Sequence, residues 1–401
     1  MLAPEFLPVW GGVGTYIVEL VRHLPKNIEI HVVTPLREGF GREKVSTLDY
    51  DFSRYFGSNV HVHFVSKARD TFLYNASFQY AVAKHVPRLA KEENIDIIHS
   101  HTAHMPDLLL RINIPIVTTI HTTIKLQFLA IKQARRKMWE WEKSELMTSL
   151  LYPLLRLSEE FYFKAKERFY ITPSHWMENV IKETFRVKNI KVIPNCVDLE
   201  EVERIRYESE RINEIMRRVQ NRRVILYAGR LISMKGLDIL IESIPLILSS
   251  SRDIVFVFAG PGNRSRYIRK IKNMKLEDYC LFVGSLSRYE IIQLMKYAEL
   301  VVLPSFLENM PFTILEAMAC RVPVVATNVG GIPEIIRHRY NGLLVRPGSS
   351  KSLSEAIIEL LDDRNLRNSI RQRAVEVIRK KFSWSKNIKK YTEVYSSVLN
   401  G

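Results

Sequence analysis

The stretch of the sequence with the clearest chemistry is 304–319, where two carboxylates stand among apolar residues. Glu308 and Glu316 are eight positions apart, which is too far for the two carboxylates to share one proton. We predict that Glu308 lies on a loop at the rim of a binding site and that Glu316 lies about two turns into a helix. A rim carboxylate can accept hydrogen bonds from sugar hydroxyls, and the deeper one from ribose hydroxyls. The plain alternative is a charge at a helix N-terminus and a surface glutamate, but the apolar neighbours of Glu316 weigh against a surface position.

The start of this helix is also suited to binding an anion. Pro311 fits the first helical turn, because its missing N–H would have no acceptor within the helix. The other backbone amides of that turn are free to bind a ligand and act together with the helix dipole. The sequence therefore predicts an anion site close to Glu308.

Two cations form a second group. Arg230 and Lys235 stand between Gly229 and Gly236, directly after a predicted strand at 224–229. Ligands of open α/β sheets bind at the carboxyl ends of the strands, so both cations are expected beside a ligand. Cations held in this way can neutralise a diphosphate leaving group, as Mg²⁺ does in many transferases. A single loop cation is usually solvated, but two cations together with the glutamate helix favour a diphosphate site that needs no metal.

Short runs of apolar and β-branched residues alternate with helical stretches along the sequence. This alternation predicts α/β architecture with parallel sheets that helices cover on both faces. Two such series predict two doubly wound Rossmann-like domains, at 1–200 and 201–385, followed by a terminal helix at 386–401. Only residues 1–4 precede the glycine loop, so the first strand is expected to be clipped, either because it is a short edge strand or because the sequence begins slightly late. The predicted strands are 28–35, 60–65, 95–100, 115–121, 169–173, 191–194, 224–229, 254–260, 281–284, 300–304, 323–327 and 342–345.

These motifs together resemble those of the retaining glycosyltransferases of family 4. Glu308 and Glu316 form the E-x7-E motif of that family, and the glycine-flanked cations and the segment 324–334 match its other C-terminal motifs. The first half of the chain adds two less specific pieces, at 8–14 and 120–122. The resemblance covers nearly the whole chain. It implies the GT-B fold, in which two Rossmann-like domains face each other across a cleft and the last helix commonly crosses back onto the first domain.

The resemblance also implies a reaction. The expected enzyme is a hexosyltransferase that acts with retention, takes its sugar from a nucleotide diphosphate (UDP, GDP or ADP) and passes it to a hydroxyl acceptor without a metal ion or other cofactor. Retention in this family is usually explained by front-face attack, in which the leaving phosphate helps to deprotonate the acceptor. The sequence agrees with this explanation, since no carboxylate stands out as a covalent nucleophile.

Roles for individual residues follow from the same resemblance. Gly12 is expected to let the backbone approach the phosphates closely, and His121 is expected to face the transferred sugar. Arg230 and Lys235 bind the diphosphate, Glu316 holds the ribose, and two glycine turns read the base. The implied catalytic residues are His121, Arg230, Lys235 and Glu308; the implied donor-binding residues are Gly11, Gly12, Arg230, Lys235, Gly260, Gly262, Val283, Gly284, Glu308, Asn309, Met310, Pro311, Phe312 and Glu316.

Two departures from the family pattern bear on the substrates. Trp10 precedes the glycine pair, where glycogen and starch synthases carry a lysine. This difference favours acceptors that are small sugars, glycolipids or other lipid-linked molecules. The segment 309–311 reads Asn-Met-Pro in place of the commoner Gly-Phe-Gly, so this loop does not identify the donor.

Two other functions compete with glycosyl transfer. A nucleotide-sugar epimerase or hydrolase of the same fold would consume the donor without an acceptor. A non-catalytic subunit that binds sugar nucleotides is the other alternative. The presence of Arg230, Lys235, Glu308 and Glu316 together weighs against the non-catalytic protein.

The composition points to an acidic partner. The chain has 59 Lys and Arg against 43 Asp and Glu, a net charge of +16, which suits phosphate-bearing substrates, an anionic membrane or nucleic acid, unless it is only a solvated basic surface. Nucleic acid is disfavoured because no zinc-finger, helix-turn-helix or RNP motif is present. The segment 125–166 mixes Trp139, Trp141 and leucines with basic residues. It predicts either an interfacial helix on anionic lipid or a pair of amphipathic helices packed on the first sheet.

Other features carry less information. Three scattered cysteines and the lack of a basic and apolar leader predict a cytoplasmic protein, either free or peripheral on the inner face of the membrane. His99, His101 and His104 suggest a metal site, but no carboxylate or cysteine at ligand spacing completes it. A loop that contacts acceptor or sugar hydroxyls is the preferred interpretation of these histidines.

Overall fold

The structure is a computed structural model, and it describes residues 1–7, 9, 11–37, 51–68, 74–102, 105–134, 141–164, 168–205 and 209–400. Contacts between residues divide the chain into two compact units. The first unit consists of Met1–Lys125, Met147–Pro194 and Asn387–Gly401, and the second consists of Leu126–Leu146 and Asn195–Lys386.

The helices alternate with the strands and begin at recognisable capping residues. The hydroxyl of Ser174, for example, accepts a hydrogen bond from the backbone amide of Met177 at 3.1 Å and so begins a helix. In the described residues the helices are α1 (Gly12–His23), α2 (Phe52–Tyr55), α3 (Tyr74–Glu92), α4 (Ile124–Gln133), α5 (Lys143–Leu150), α6 (Tyr152–Lys164), α7 (His175–Phe185), α8 (Leu199–Arg204), α9 (Glu210–Val219), α10 (Leu237–Leu248), α11 (Ser265–Asn273), α12 (Arg288–Tyr297), α13 (Phe312–Ala319), α14 (Ile332–Ile335), α15 (Ser350–Asp362), α16 (Arg364–Lys381) and α17 (Trp384–Leu399).

Parallel strands form the centre of the first unit. They are β1 (Ile30–Arg37), β2 (Val60–Ala68), β3 (Ile98–His101), β4 (Ile116–Thr119), β5 (Phe169–Thr172) and β6 (Ile190–Val192). β1 pairs with β2, and a second sheet has the order β3-β4-β5-β6. Leu2 donates its backbone amide to His99 at 2.8 Å and Ala3 donates to Val33 at 2.8 Å. The opening residues therefore act as a short strand between β1 and β3.

The second unit contains one parallel sheet that is buried on both faces. Its strands are β7 (Arg223–Ala228), β8 (Ile254–Ala259), β9 (Cys280–Gly284), β10 (Ala298–Leu303), β11 (Val324–Thr327) and β12 (Leu343–Val345), in the order β12-β11-β10-β7-β8-β9. In β7, Val224 and Leu226 belong to one hydrophobic cluster, whereas Ile225 and Tyr227 belong to the other. Because successive side chains of a strand point to opposite faces, β7 must be apolar throughout. This explains the continuous apolar run in the sequence.

The predicted α/β class with doubly wound parallel sheets is confirmed. Every predicted strand corresponds to a strand in the structure, with ends shifted by a few residues. The contact-based division differs in detail from the predicted domains. Residues 126–146, which the sequence analysis places within 1–200, group with the second unit, and the last residues group with the first. The side chain of Tyr395 on α17 lies 2.8 Å from Nδ1 of His99.

A buried ionic network stabilises the first unit just after β3. Asp107 is fully buried and its carboxylate accepts hydrogen bonds from Ser100, Arg168 and Tyr162, the last at 2.9 Å. Burial and the neighbouring Asp107 raise the pKa of Tyr162 well above its usual value, so this phenol remains a donor. The carboxylate therefore neutralises a guanidinium group that has little access to water.

We expect Asp107→Ala to lower the free energy of unfolding by about 3–5 kcal/mol, because Arg168 would keep a buried charge without its carboxylate. Urea denaturation measures this loss. Asp96→Ala removes an exposed aspartate and should change the free energy by less than about 0.5 kcal/mol. Equal losses in the two variants would contradict a stabilising role for the network.

Candidate functional site

The loops that follow four neighbouring strands of the second unit are joined by backbone hydrogen bonds. Leu231 donates to Pro261 at 2.7 Å and Gly260 donates to Gly284 at 2.8 Å, which connects the ends of β7, β8 and β9. Phe306 donates to Met234 at 2.8 Å, which connects the ends of β10 and β7. The structure thus brings the predicted donor-binding residues of the second unit to one edge of its sheet, which is formed by the carboxyl ends of the strands.

Glycines allow these loops to pass close to each other. Gly236 has φ +68°, and a Cβ there would lie 1.9 Å from the carbonyl oxygen of Pro304. Gly260 has φ +142°, and its Cβ would lie 2.0 Å from the carbonyl oxygen of Gly229. Only glycine fits both the conformation and the space at these positions. Backbone groups consequently line this edge where side chains would otherwise stand.

Lys235 and Glu308 form an ion pair across the loops after β7 and β10. The Lys235 Nζ lies 2.5 Å from Glu308 Oε1, and the hydroxyl of Ser305 donates to the same oxygen at 2.7 Å. Glu308 is 8% exposed, so it lies on the predicted loop but is more enclosed than a rim position suggests. Arg230 remains exposed, and its carbonyl oxygen accepts the hydroxyl of Tyr227 at 2.7 Å. The pair holds the lysine against the loop that leads into α13.

Glu316 lies in α13, as the sequence predicts, and is 6% exposed. Nε of Arg288 donates to Glu316 at 2.9 Å, and Nη1 of Arg288 donates to Glu201 at 2.8 Å. The sequence analysis misses this arginine. The available signal is the capping box formed by Ser287 and Glu290, which begins α12 and places Arg288 at the first helical position. The contact with Glu316 itself depends on the fold.

Two further side chains that the sequence analysis misses hold the loop before α13. The side-chain amide of Asn195 donates to the carbonyl oxygen of Met310 at 2.6 Å. The hydroxyl of Thr327, at the end of β11, donates to the carbonyl oxygen of Ser305 at 2.6 Å. Pro311 is the N-cap of α13 and Phe312 its first residue, one position from the predicted start. The backbone from 309 to 312 is therefore restrained on both sides.

Glu145 orients the turn that carries Lys235. Its carboxylate accepts hydrogen bonds from both the backbone amide, at 2.8 Å, and the hydroxyl of Ser233. Glu142 accepts the backbone amide of Asn263 at 3.3 Å. These contacts explain physically why part of the segment after β4 groups with the second unit. No sequence signal identified either glutamate.

The predicted residues of the first unit lie around α1. Gly11 is the N-cap of α1 and Gly12 its first residue, where a Cβ would meet nothing within 4 Å. The ring of Tyr16, one turn further, stands edge-on to His121 at 4.8 Å between centroids. Nε2 of His121 lies 3.1 Å from Nδ1 of His101. The structure therefore brings His121 and the start of α1 together.

His99 and His101 do not belong to a loop that contacts ligand hydroxyls, because they lie in β3 and are 3% and 0% exposed. Both ring nitrogens of His99 have protein partners, since Nδ1 lies 2.8 Å from the hydroxyl of Tyr395 and Nε2 lies 2.7 Å from that of Thr119. Burial lowers the pKa of His99 to about 3, so it stays neutral. His104, like Trp10 and Trp139, lies outside the described residues.

Parallel sheets with covering helices form the centre of both units, and glycine turns, a cation and two buried glutamates lie at the carboxyl ends of the strands of the second unit. These are the features of a GT-B glycosyltransferase. Family models agree with this class. Residues 10–201 match Glycosyltransferase Family 4, and residues 208–377 match Glycosyl transferases group 1. The chain belongs to the family-4 glycosyltransferases of GT-B fold.

Individual relatives resemble the chain over nearly its whole length. The N-acetyl-alpha-D-glucosaminyl L-malate synthase of Bacillus anthracis is 24% identical, over 98% of this chain and 95% of its own. The solved structure of a sucrose-phosphate synthase from Thermosynechococcus elongatus has a TM-score of 0.75 at 18% identity, covering 97% and 94% of the two chains. Anabaena HepE, solved in complex with UDP-glucose, has a TM-score of 0.72 at 20% identity and 99% coverage of both. These structures establish the fold.

The glycine turn between β8 and α11 gives a direct test of the site's construction. We expect Gly260→Ala to lower the free energy of unfolding of the second unit by at least about 2 kcal/mol, because its Cβ would collide with Gly229 in a backbone conformation that alanine avoids. Urea denaturation measures this loss. Gly12→Ala is the control, because its Cβ meets open space and should leave stability unchanged or slightly higher. Equal stability of the two variants would contradict the close approach of the loops.

Proposed function

We propose that this chain transfers a hexosyl unit from a nucleotide-diphosphate sugar to a hydroxyl acceptor, with retention and without a metal ion. The observation that carries the proposal is the ion pair between Lys235 and Glu308, where the loops after β7 and β10 meet. The Lys235 Nζ and the Glu308 Oε1 are 2.5 Å apart. The contact supports the proposal because it joins a cation suited to a leaving phosphate and a carboxylate suited to sugar hydroxyls. Arg230, exposed on the same loop, supplies a second cation.

In the proposed reaction, Arg230 and Lys235 neutralise the leaving diphosphate, as Mg²⁺ does in metal-dependent transferases. Negative charge develops on the leaving diphosphate as the glycosidic bond breaks, and Arg230 and Lys235 stabilise it most when it is fully developed. The acceptor oxygen forms its bond to the anomeric carbon on the face from which the phosphate departs, and the phosphate accepts the proton of that hydroxyl. Attack on this face gives retention. Glu308 holds Lys235 in position and orients the sugar. The role of His121 towards the transferred sugar stays a prediction from the family motif.

The remaining donor contacts follow from the same edge of the sheet. Glu316 takes the ribose hydroxyls, with Arg288 fixing the orientation of its carboxylate. The base lies against the backbone of the glycine turns at 260–262 and 283–284. The amides at the start of α13 bind phosphate oxygens with the help of the helix dipole. The UDP-glucose bound by HepE makes UDP-sugars the first donors to test.

Binding of nucleotides in EDTA tests the donor site. We expect at least one of UDP, GDP and ADP to bind by calorimetry without added metal. Lys235→Ala should weaken that binding by more than about tenfold but leave nucleoside binding nearly unchanged, because only the diphosphate loses a charged partner. Lys270→Ala is the matched control, since Lys270 pairs with Glu242 on the surface of the same unit. Activity that EDTA abolishes and Mn²⁺ restores would contradict the metal-free mechanism.

A nucleotide-sugar screen with mass-spectrometric detection separates transfer from the alternative activities. A transferase should release nucleotide faster when acceptor is present and should form a glycosylated product. Donor turnover that exceeds transfer to every acceptor, including those of a lipid extract, would favour the epimerase or hydrolase.

The helix α6 favours a lipid-linked acceptor, because it has apolar residues on two faces. Phe163 is buried and its ring stacks on Phe185 at 4.1 Å. On the outward face, Leu154, Leu157 and Phe161 are each more than 60% exposed. Large apolar side chains are rarely exposed together on a protein that remains in water. No described helix is long and apolar enough to cross a membrane.

We propose that this outward face of α6 rests on an anionic membrane surface, which the net charge of +16 attracts. The double variant Leu157→Glu/Phe161→Glu should therefore lose most of its co-sedimentation with vesicles of phosphatidylglycerol and phosphatidylcholine. Leu246→Glu changes a 45% exposed leucine of α10 and should sediment like the unsubstituted chain. Undiminished sedimentation of the double variant would contradict the membrane contact.

A further inference from the structure

Four side chains with metal-binding chemistry stand at the beginning of β1 and β2. Glu29 and His31 are two positions apart on one chain segment, and His61 and His63 are two positions apart on the next. The two strands are parallel, with His31 opposite His61. Because side chains two positions apart in a strand point to the same face, all four belong to one face.

The donor atoms of this cluster are close together. The ligand atoms of Glu29, His31 and His61 all lie within 4.8 Å of one another, and His61 contacts the carboxylate of Glu29. Nδ1 of His31 lies 3.0 Å from Nε2 of His63, which restricts the orientation of the His31 ring. His31 is 9% exposed, whereas the side chains of His61 and Glu29 are 42% and 61% exposed. A metal ion can therefore reach Glu29 and His61 from solvent, while the buried ring of His31 is already held in place.

We propose that Glu29, His31 and His61 bind a transition-metal ion, with Zn²⁺ the best match. Imidazole nitrogen and carboxylate oxygen are the donors that Zn²⁺ takes when three protein ligands leave its fourth position to water. At Zn–ligand distances of about 2.0–2.2 Å, tetrahedral donors stand about 3.4 Å apart. The donor atoms of the cluster lie within 4.8 Å of one another. Rotation of the half-exposed side chains of Glu29 and His61 can bring them to the tetrahedral spacing. His63 holds the buried ligand, as outer partners of metal-bound histidines do.

This site is separate from the proposed catalytic residues. His31 and His61 stand at the amino ends of their strands, whereas His101 and His121 stand at or after the carboxyl ends of β3 and β4. The ion would cross-link β1 and β2 where their pairing begins. Its role is therefore to stabilise the first unit, and it is independent of the metal-free transfer proposed for the chain.

Zinc binding to the full chain, freed of tags and dialysed against EDTA, tests the proposal. Competition with a chromophoric chelator should show one equivalent of Zn²⁺ bound. His61→Ala and Glu29→Gln should each weaken this binding, by more than about 100-fold for His61→Ala, because loss of a ligand costs more than the 10–100-fold loss seen for outer partners. Both changes are at half-exposed side chains, so the variants should fold.

His175→Ala is the matched control. His175 lies 3.0 Å from Glu178 on α7, so this substitution also removes a histidine that faces a carboxylate. It should bind zinc like the unsubstituted chain. Zn²⁺ should also raise the thermal unfolding midpoint of the unsubstituted chain and of His175→Ala, but not that of His61→Ala. An unsubstituted chain that binds no zinc, or a His61→Ala variant that binds it equally well, would overturn the proposal. The readouts are binding and stability, so neither depends on transferase activity.

Discussion

The ion pair between Lys235 and Glu308 is the interaction on which the edge of the second unit depends. β7 and β10 are neighbours in the sheet, so their following loops emerge side by side, and the pair joins them directly. The contact requires close backbones, and Gly236 provides this because its missing Cβ leaves room for the carbonyl group of Pro304. A charged pair that is mostly removed from water keeps its strength only when its other hydrogen bonds are made. The hydroxyl of Ser305 makes one of them.

The same pattern recurs at the other carboxylates of this edge. Glu316 is held by Arg288 from α12, and Glu145 takes the amide and hydroxyl of Ser233. Each carboxylate thus receives its partner from a distant part of the chain. Side chains restrained in this way lose little conformational entropy when a ligand arrives, which favours a site that is formed before the donor binds. The cost is that a single truncation leaves a buried charge unpaired.

The sequence predicts the strands well and the side-chain partners poorly, for a physical reason. Strands buried on both faces need continuous apolar runs, and such runs are visible without any knowledge of contacts, as β7 and β8 illustrate. The E-x7-E spacing and the cations after β7 are likewise local. Arg288 is 28 positions from Glu316, and Ser233 is 88 positions from Glu145. Nothing in the local sequence links such pairs, because only the fold brings them together.

Burial explains the other differences between expectation and structure. His99 and Glu308 carry side chains that usually face water, so sequence reasoning placed them at a loop or a rim. In the structure His99 is enclosed by Tyr395 and Thr119, both from elements far from it in sequence. The apolar residues of α6 show the converse, since helical periodicity finds an apolar face but does not distinguish one that packs from one that is exposed. Leu157 and Phe163 are six positions apart on that helix, but Leu157 is exposed and Phe163 is buried.

The two proposed sites differ in the chemistry of their donors. At the edge of the second unit, Arg230, Lys235 and backbone amides are the groups proposed to bind the diphosphate. At the start of β1 and β2 the groups are imidazoles and a carboxylate, which attract a cation. A diphosphate would be bound poorly at the start of β1 and β2, because the carboxylate of Glu29 repels phosphate oxygens. EDTA should consequently affect the two sites differently, and stability in EDTA and turnover in EDTA are separate properties of this protein.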